Sequence, residues 1–395
     1  MLHNICRIGA VAAGSMFCIS PASSLCDEAK KDFVPANKLL FSSASSLRPV
    51  KKKKEATSAA LVIVSGTCHP KLSKEIADIL GVSLHHTEIS RFADGEVKIE
   101  LESIRGGNVF VVQPCGNPVS DSSMELLLAI SAAKRAGAKK VTAVMPYYPF
   151  KHHRRGMPRS NKHKSKFLIS AAMDFAKMLQ EMGTDRVVTV DLQRPGQGQE
   201  ACFFDNSIPL ENIVTTKLIS DYFLETVKLE GNTVVISPNY ECMNKAVKYE
   251  SRLQQAYPDA NVTLSALVHH GISAHKQSTD LEALGKLEVE GANVVIIDDI
   301  IDSGETISYI ANRVKNAGAK RVFAIAFHGV FTVSAMQVID RSPIEKVIVT
   351  NSLPLPAVHS SKIEQVSVAP LLAQVIWTEQ YKSRTIDEEY EIEFH

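Results

Sequence analysis

The sequence predicts an α/β protein with two doubly wound domains, each built on a mostly parallel sheet. Apolar strands alternate with amphipathic helices from residue 59 onwards, which is the pattern typical of such sheets. A repeat supports two domains of one design: KRAGAKKV at 134–141 and KNAGAKRV at 315–322 each follow a helix, and before it an apolar strand, NVFVV from Asn108 and NVVII from Asn293. A chain of 395 residues is long enough for two domains and a tail.

The composition excludes several classes of protein. Hydrophobic residues make up 45% of the chain and the formal net charge is +1, as in an ordinary globular protein with no overall bias toward nucleic acid. No run of about eighteen apolar residues occurs, so we expect no membrane span. The 7 cysteines are scattered, odd in number and form no Cys-x-x-Cys pair, which favours a reducing compartment and no structural zinc.

Residues 1–58 differ from the rest of the chain, because they are rich in Ser and Ala and contain the run Lys51–Lys54. We expect a disordered tail in a cytoplasmic protein. An organelle-targeting segment is the alternative, because Arg7 precedes a largely apolar run and no acid occurs before Asp27. The other predicted boundaries are 59–210 for the first domain, 211–360 for the second, and 361–395 for a closing strand, helix and tail.

In the first domain the alternation predicts helices between apolar strands, and Ser120 or Asp121 is the expected cap of the second helix. The predicted helices are 70–80, 120–136 and 167–182, and the predicted strands are 60–64, 84–89, 97–101, 109–112, 141–145 and 186–190.

In the second domain the same alternation continues. The predicted helices are one that ends at 226, then 243–256, 306–317 and 333–339; the predicted strands are 234–237, 262–268, 294–297, 321–327 and 347–350, with a last strand and helix within 362–376.

The run VVIIDDIIDSGETI, residues 294–307, carries the clearest chemistry. Its four leading aliphatic residues predict a strand buried on both faces, which Asp298 and Asp299 are expected to close. A turn around Gly304 and a helix follow, so unpaired N–H groups and the hydroxyls of Ser303 and Thr306 can bind a phosphate. The two carboxylates can hold a divalent cation or sugar hydroxyls. The alternative is an acidic strand end followed by an ordinary capped helix.

This run resembles the phosphoribosyl diphosphate (PRPP) loop of phosphoribosyltransferases and PRPP synthetases. Other segments follow in the order found in PRPP synthetases, and the resemblance covers about residues 60–380. It implies two tandem phosphoribosyltransferase-like domains. The further matching segments are RFADGE from Arg91, VDLQRPGQGQEACFFD from Val190, FHGVFTVSA from Phe327 and VIVTNSLPLP from Val347.

The resemblance assigns the sugar-phosphate site to the second domain only. It implies that Asp298 and Asp299 hold the ribose hydroxyls, directly or through a cation. The residues implied to bind the 5-phosphate of ribose 5-phosphate are Asp302, Ser303, Gly304, Glu305 and Thr306. In the first domain Gln113 and Pro114 stand in place of the two acids, so we do not expect that domain to bind a ribose phosphate in this way.

The resemblance also implies an ATP site. In PRPP synthetases an aromatic ring stacks on adenine and nearby acids hold the base and ribose, often across a subunit boundary; the matching positions are Phe92, Asp94 and Glu96. The residues alone favour a plain hairpin with an Asp-Gly turn.

A basic segment, PFKHHRRGMPRSNKHKSK at 149–166, follows a predicted strand and contains no acid. Such a loop can clamp nucleotide phosphates, and in PRPP synthetases the equivalent loop contacts ATP. Here His152, His153, Arg154 and Arg155 are the predicted triphosphate contacts. A nucleic-acid patch and a merely solvated loop are the alternatives.

Several positions depart from the family pattern. Asp191 matches an acid near the Mg²⁺ of ATP, but Gln193 replaces the histidine that helps to bind this metal. Asn239 replaces an acid at the end of a strand. His270 stands at the position of a catalytic lysine, with Lys276 six residues later. The implied metal ligands are Asp191, Gln193, Asp298 and Asp299, and the implied catalytic residues are His270 and Lys276.

We therefore expect a ribose-phosphate diphosphokinase that makes PRPP and AMP from ATP and ribose 5-phosphate with Mg²⁺. The alternative is a catalytically impaired subunit that regulates active synthetase chains, which Gln193, Asn239 and His270 favour. A phosphoribosyltransferase that uses PRPP is a weaker third hypothesis, because the tandem architecture argues against it. The family forms rings of dimers, so we expect a homo-oligomer or a hetero-oligomer with other synthetase subunits, with neither nucleic acid nor membrane as a partner.

Overall fold

The computed structural model describes residues 59–150, 171–192, 204, 207–239, 242–258, 260–269, 281–284, 288–332 and 334–381, which all belong to one compact unit. These residues form two sheets and a separate two-stranded hairpin. Among the helices in these ranges, none is both long and apolar enough to cross a membrane.

The elements from β1 to β7 are called the first half. They are β1 (Leu61–Ser65), α1 (Pro70–Leu80), β2 (Thr87–Arg91), β3 (Val97–Leu101), β4 (Asn108–Val112), α2 (Val119–Arg135), β5 (Lys140–Met145), α3 (Ala171–Glu181), β6 (Arg186–Val190) and β7 (Leu210–Ile213).

The elements from α4 to β14 are called the second half, and one further helix follows them. They are α4 (Thr216–Thr226), β8 (Thr233–Ser237), α5 (Met243–Ala256), β9 (Val262–His269), β10 (Leu281–Leu284), β11 (Asn293–Ile301), α6 (Glu305–Asn316), β12 (Arg321–Gly329), α7 (Ala335–Arg341), β13 (Lys346–Thr350), β14 (Ile363–Val366) and then α8 (Ala369–Tyr381).

The two sheets share one strand order. The first half forms the parallel sheet β1-β4-β5-β6-β7, and the second half forms β10-β9-β8-β11-β12-β13-β14, in which only the β9–β10 pair is antiparallel. Strand β4 therefore corresponds to β11, and β1 corresponds to β8. The duplicated unit that the sequence repeat predicts is present in both sheets, and β9 and β10 are additions to the second.

Apolar side chains place a core on each face of each sheet. On β11, Val294 and Ile296 pack with α6 and α7, whereas Val295 and Ile297 pack with α4 and α5. Alternate residues of a strand point to opposite faces, so an aliphatic run is needed where both faces are covered. The predicted doubly wound arrangement follows from this burial.

Helix α8 lies on the first sheet although it follows the second half in the chain. Leu372 and Ile376 share a core with Ile63 of β1 and Leu72 of α1. Asn108 at the start of β4 donates a hydrogen bond to Gln380 at 3.0 Å. The chain thus returns to complete the first half, while the domain boundaries set out above stay a prediction.

The structure differs from the sequence prediction at several element ends. Strand β2 begins at Thr87 instead of residue 84, and α7 runs over Ala335–Arg341 instead of 333–339. The short strands β7 and β10 were not predicted, because LENI and LEAL carry too few β-branched residues to distinguish them from loops.

Candidate functional site

The two acids of the central motif lie inside strand β11 and do not close it, so that expectation was wrong. Strand β11 pairs with β12 as far as Ile301, but it pairs with β8 only as far as Ile296. Asp298 and Asp299 are 4% and 3% exposed. The two acids therefore lie beyond the last residue of β11 that pairs with β8, beside the loop that follows β8.

Asp298 is held by its neighbours through one carboxylate oxygen. Its Oδ1 accepts hydrogen bonds from the backbone N–H of Asp299 at 2.9 Å, from Asn239 Nδ2 at 3.2 Å and from Cys242 Sγ at 3.5 Å. Asn239 in turn accepts the backbone N–H of Cys242 through Oδ1 at 2.9 Å. The loop between β8 and α5 thus fixes the orientation of Asp298, and Asn239 acts there as both donor and acceptor.

The turn after β11 leads directly into α6. Gly304 has φ 76° and occupies the cap position of α6, where it offers no side chain to accept a hydrogen bond from the first turn. A Cβ at Gly304 would come within 3.3 Å of Ile339 Cγ1, so the turn packs closely on α7. Ser303 Oγ accepts the N–H of Glu305 at 3.4 Å. The positive end of α6 therefore faces the turn and suits an anion.

Charged and soft ligand atoms come together beside this turn. Cys242 Sγ and one carboxylate oxygen each of Asp298 and Asp299 all lie within 4.8 Å of one another. Burial, followed by the charges of Asp299 and Asp298, raises the pKa of the Cys242 thiol well above its usual value. Since a protonated thiol is a poor ligand, the donors that fit a cation are the two carboxylates, which suit a hard ion such as Mg²⁺.

The corresponding place in the first half is filled by the chain itself. Gln113, five residues after Asn108, corresponds to Asp298, five residues after Asn293. Glu125 of α2 is 1% exposed, and its Oε1 accepts Thr67 N–H at 2.7 Å and Gln113 Nε2 at 2.8 Å. Its Oε2 accepts the Thr67 hydroxyl at 2.7 Å. An internal carboxylate thus satisfies the donors at this end of the first sheet.

The predicted adenosine contacts lie on the turn of the β2–β3 hairpin. Phe92 donates its N–H to Glu96 O at 2.9 Å, and Asp94 Oδ1 accepts the N–H of Glu96 at 3.0 Å. All three side chains are exposed, and the Phe92 ring is 51% exposed. The ring is therefore presented to solvent.

Asp191 follows β6 and is 2% exposed. Its Oδ1 lies 3.1 Å from Lys245 Nζ, and its Oδ2 accepts the N–H of Thr215 at 3.1 Å and also the Thr215 hydroxyl. The carboxylate that the resemblance assigns to the metal of ATP is thus directed at α4 and α5.

The structure brings together the predicted sugar-phosphate residues on one strand, one turn and one helix start. The hairpin residues and Asp191 lie on separate elements. The remaining predicted positions fall outside the described residues: His152, His153, Arg154, Arg155, Gln193, His270 and Lys276.

Sequence analysis missed Glu125 and Lys245. Both are charged residues inside helices that otherwise show ordinary amphipathic patterns, and both are buried, at 1% and 7% exposed. Charged side chains are rarely buried unless they are paired, so a partner would have indicated the burial of each residue. Each partner lies far away in the sequence, and a single sequence does not reveal it.

Two family models match the chain. The N-terminal domain of ribose phosphate pyrophosphokinase matches residues 61–183, and the phosphoribosyl synthetase-associated domain matches residues 244–384.

Whole proteins match over most of their length. A ribose-phosphate pyrophosphokinase of Aquifex aeolicus is 37% identical over 316 residues, which is 80% of this chain and 94% of the relative. One from Bacillus subtilis is 37% identical over 320 residues, 80% of this chain and 93% of the relative. The crystal structure of phosphoribosylpyrophosphate synthetase from Mycobacterium smegmatis matches with a TM-score of 0.69 and 32% identity, over 81% of this chain and 98% of that one. The predicted pair of phosphoribosyltransferase-like domains is thereby confirmed, and the chain belongs to the ribose-phosphate pyrophosphokinase family.

Proposed function

We propose that this chain transfers the diphosphoryl group of ATP to the anomeric hydroxyl of ribose 5-phosphate and releases PRPP and AMP. The observation that carries the proposal is the joint placement of Asp298, Asp299 and the Gly304 turn at the carboxyl end of β11, in a chain of this family. Ligands of doubly wound proteins bind at this end of the sheet.

The sugar phosphate would bind in two parts. The turn Asp302–Thr306 would hold the 5-phosphate through backbone N–H groups and the hydroxyls of Ser303 and Thr306, aided by the positive end of α6. Asp298 and Asp299 would hold the ribose hydroxyls, either directly or through Mg²⁺. Because Asn239 and Cys242 already orient Asp298 Oδ1, the carboxylate needs little reorganisation when the sugar arrives.

Diphosphoryl transfer leaves little covalent chemistry to the protein. The anomeric oxygen bonds to the β-phosphorus, and the bond from that phosphorus to the oxygen of AMP breaks. Mg²⁺, when bound, supplies neutralisation of the triphosphate charge. On the ATP side, Phe92, Asp94 and Glu96 are proposed for adenosine, His152 to Arg155 for the triphosphate, and His270 and Lys276 for the reacting phosphates. We include assembly into a homo-oligomer, or with other synthetase subunits, in this proposal.

The test is a direct assay. Purified chain with ATP, Mg²⁺ and ribose 5-phosphate should release AMP in equal amount to PRPP, and no AMP should form when ribose 5-phosphate is omitted. Absence of AMP above background would refute the enzymatic proposal.

A second candidate is a regulatory subunit that binds ribose 5-phosphate without turnover. Asn239 favours this candidate, because its neutral amide replaces an acid of the family pattern and donates a hydrogen bond to Asp298. Calorimetric binding of ribose 5-phosphate by a chain that releases no AMP, together with a changed rate of an active synthetase mixed with it, would support this candidate over the first.

A further inference from the structure

We propose that Asp191 and Lys245 form a positioning pair that holds the end of β6, on the proposed ATP side, against α5, on the proposed sugar-phosphate side. In this pair Asp191 acts through Lys245 and does not ligate the metal. The kinetic part rests on the function proposed above. The structural part, a tie between the two halves, does not depend on turnover.

The surroundings of Asp191 leave its carboxylate committed to the protein. The residue follows β6 with φ 43°, and Oδ2 accepts two hydrogen bonds from Thr215 at the start of α4. Oδ1 faces Lys245 Nζ at 3.1 Å. The next residue, Leu192, donates its N–H to Asn212 Oδ1 at 2.9 Å. The chain that leaves β6 toward Gln193 is therefore directed by these contacts.

Lys245 is held from the second half. Its Nζ lies 3.7 Å from the centroid of the Phe327 ring on β12, so the ammonium group rests between a carboxylate and an aromatic face. Lys245 belongs to the first turn of α5, three residues after Cys242, which contacts Asp298. A shift of Lys245 would therefore move the loop that orients the sugar-site carboxylate.

A second contact joins the same two halves. His328 Nε2 donates to the carbonyl oxygen of Asp191 at 3.3 Å, because that oxygen can only accept, and Nδ1 shares a hydrogen bond of 2.7 Å with the Ser352 hydroxyl. The Tyr147 ring of the first half packs edge-on against His328, with centroids 5.1 Å apart. The Asp191–Lys245 ion pair is thus one of several contacts between the two halves, and the contacts of His328 also fix the geometry there.

Removing one member of a buried pair leaves an uncompensated charge, whereas removing both charges does not. Asn at 191 tolerates positive φ and can still accept from Thr215, so Asp191→Asn removes the charge and the acceptor for Lys245 while it keeps the contact with Thr215. Lys245→Met keeps the aliphatic chain against Phe327.

The experiment compares the parent chain with Asp191→Asn, Lys245→Met, the double variant and Lys245→Arg. Lys134→Met is the matched control, because it removes an ion pair with Asp185 within the first half. The measurements are kcat, KM for each substrate, the Mg²⁺ concentration that gives half the maximal rate, and hydrogen exchange of the amides of Thr215 and of α5.

We expect each single variant to lower kcat on the order of 100-fold, since small misplacements of bound groups have effects of that size. KM values and Mg²⁺ dependence should stay unchanged, the double variant should match the singles, and Lys245→Arg should recover most of the rate. The amides of Thr215 and α5 should exchange about tenfold faster in the double variant. Lys134→Met should show none of these changes.

Two results would overturn the proposal. A higher Mg²⁺ requirement for Asp191→Asn that Lys245→Met does not share would make Asp191 a metal ligand. A folded double variant with parent kcat would remove the positioning role, and this variant decides the question if a single variant does not fold. If the parent chain forms no AMP, the proposed function fails alone; the tie between the halves is then judged by hydrogen exchange, and unchanged exchange would refute it.

Discussion

The two halves share one strand order, but different polar groups lie at the carboxyl ends of the corresponding strands β4 and β11. At the carboxyl end of β4, Gln113 and Thr67 donate hydrogen bonds to the buried carboxylate of Glu125. At the carboxyl end of β11, Asp298 and Asp299 are followed by the Gly304 turn and by a helix start whose cap residue has no side chain. One half therefore satisfies its own polar groups with an internal anion, whereas the other is proposed to bind an external anion at the positive end of a helix.

The connections explain how the difference arises. Six residues separate β4 (ending at 112) from α2 (starting at 119), but only three separate β11 (ending at 301) from α6 (starting at 305). In the shorter connection the helix N-terminus follows the strand at once, with Gly304 in the left-handed conformation. In the longer one Glu125 reaches back from inside its helix. One duplicated unit can thus carry a proposed binding site in one half and an internally bonded carboxylate in the other.

The largest effect is expected from Asp298→Ala. This variant removes the carboxylate at the centre of the second-half site, and AMP formation should fall on the order of 10²- to 10³-fold. Coupled assay of AMP measures the rate, and circular dichroism checks the fold. Asp174→Ala, an exposed acid of α3, serves as the control and should keep the parent rate. A near-parent rate for Asp298→Ala would contradict the assignment of the sugar site to this half.

Gly304→Ala should weaken ribose 5-phosphate binding. At φ 76° an added Cβ costs about 1–2 kcal/mol, which is about tenfold in binding if the turn must distort, and Ile339 limits the space. Calorimetry with ribose 5-phosphate measures the affinity. Gly231→Ala is the matched control, because Gly231 has φ 83° and nothing within 4 Å of its added Cβ. Equal loss of affinity in both variants would show that the turn is not the phosphate site.

In the first half we expect an effect of pH on the free energy of unfolding. Burial, opposed by a hydrogen bond to the backbone of Asn351, lowers the pKa of His69 to about 4. His69 Nδ1 accepts the N–H of Leu72 at 3.3 Å, and a proton on this nitrogen would break the cap of α1. The pKa of His69 in the folded chain lies below the ordinary value near 6.5. The contribution of neutral His69 to the free energy of unfolding is therefore complete above pH 6.5 and is lost as the pH falls toward 4.

Urea unfolding between pH 6.5 and 4.5 should therefore show a loss on the order of 2 kcal/mol that involves His69. His69→Asn keeps a capping side chain but cannot titrate in this range, so its stability should depend less on pH. Equal slopes for the parent chain and His69→Asn would contradict the assignment.

The smallest effect is expected from Glu125→Gln. The Thr67 hydroxyl can turn and accept from the new amide, but Thr67 N–H and Gln113 lose their charged acceptor. The free energy of unfolding should therefore fall by about 1 kcal/mol, while KM for ribose 5-phosphate stays unchanged. Urea unfolding and steady-state kinetics measure the two quantities, with the exposed Glu100→Gln as control. A changed KM would mean that the first half takes part in sugar binding, and the contrast between the halves would be lost.

Much of this contrast is visible in the sequence. The aliphatic runs of β4 and β11 predict buried strands, and the exchange of two acids for Gln113 and Pro114 predicts that only one half binds the sugar. The extension of β11 through Asp298 is not visible in the sequence, because charged residues ordinarily end an apolar run. The hydrogen bonds that hold Asp298 in the strand come from Asn239 and Cys242, which are distant in the sequence. Lys245 and Glu125 are equally hidden, since their partners Asp191 and Thr67 lie 54 and 58 residues away (245 minus 191 and 125 minus 67).

The position of α8 has a consequence for biosynthesis. Leu372 and Ile376 close a core that begins with Ile63, so residues more than 300 positions apart complete one layer. A nascent chain emerges from its amino end and folds domain by domain. Until the whole second half has left the ribosome, one apolar face of the first sheet is therefore covered only in part, by α1. Chaperones that bind exposed apolar strands would reach this face before α8 does.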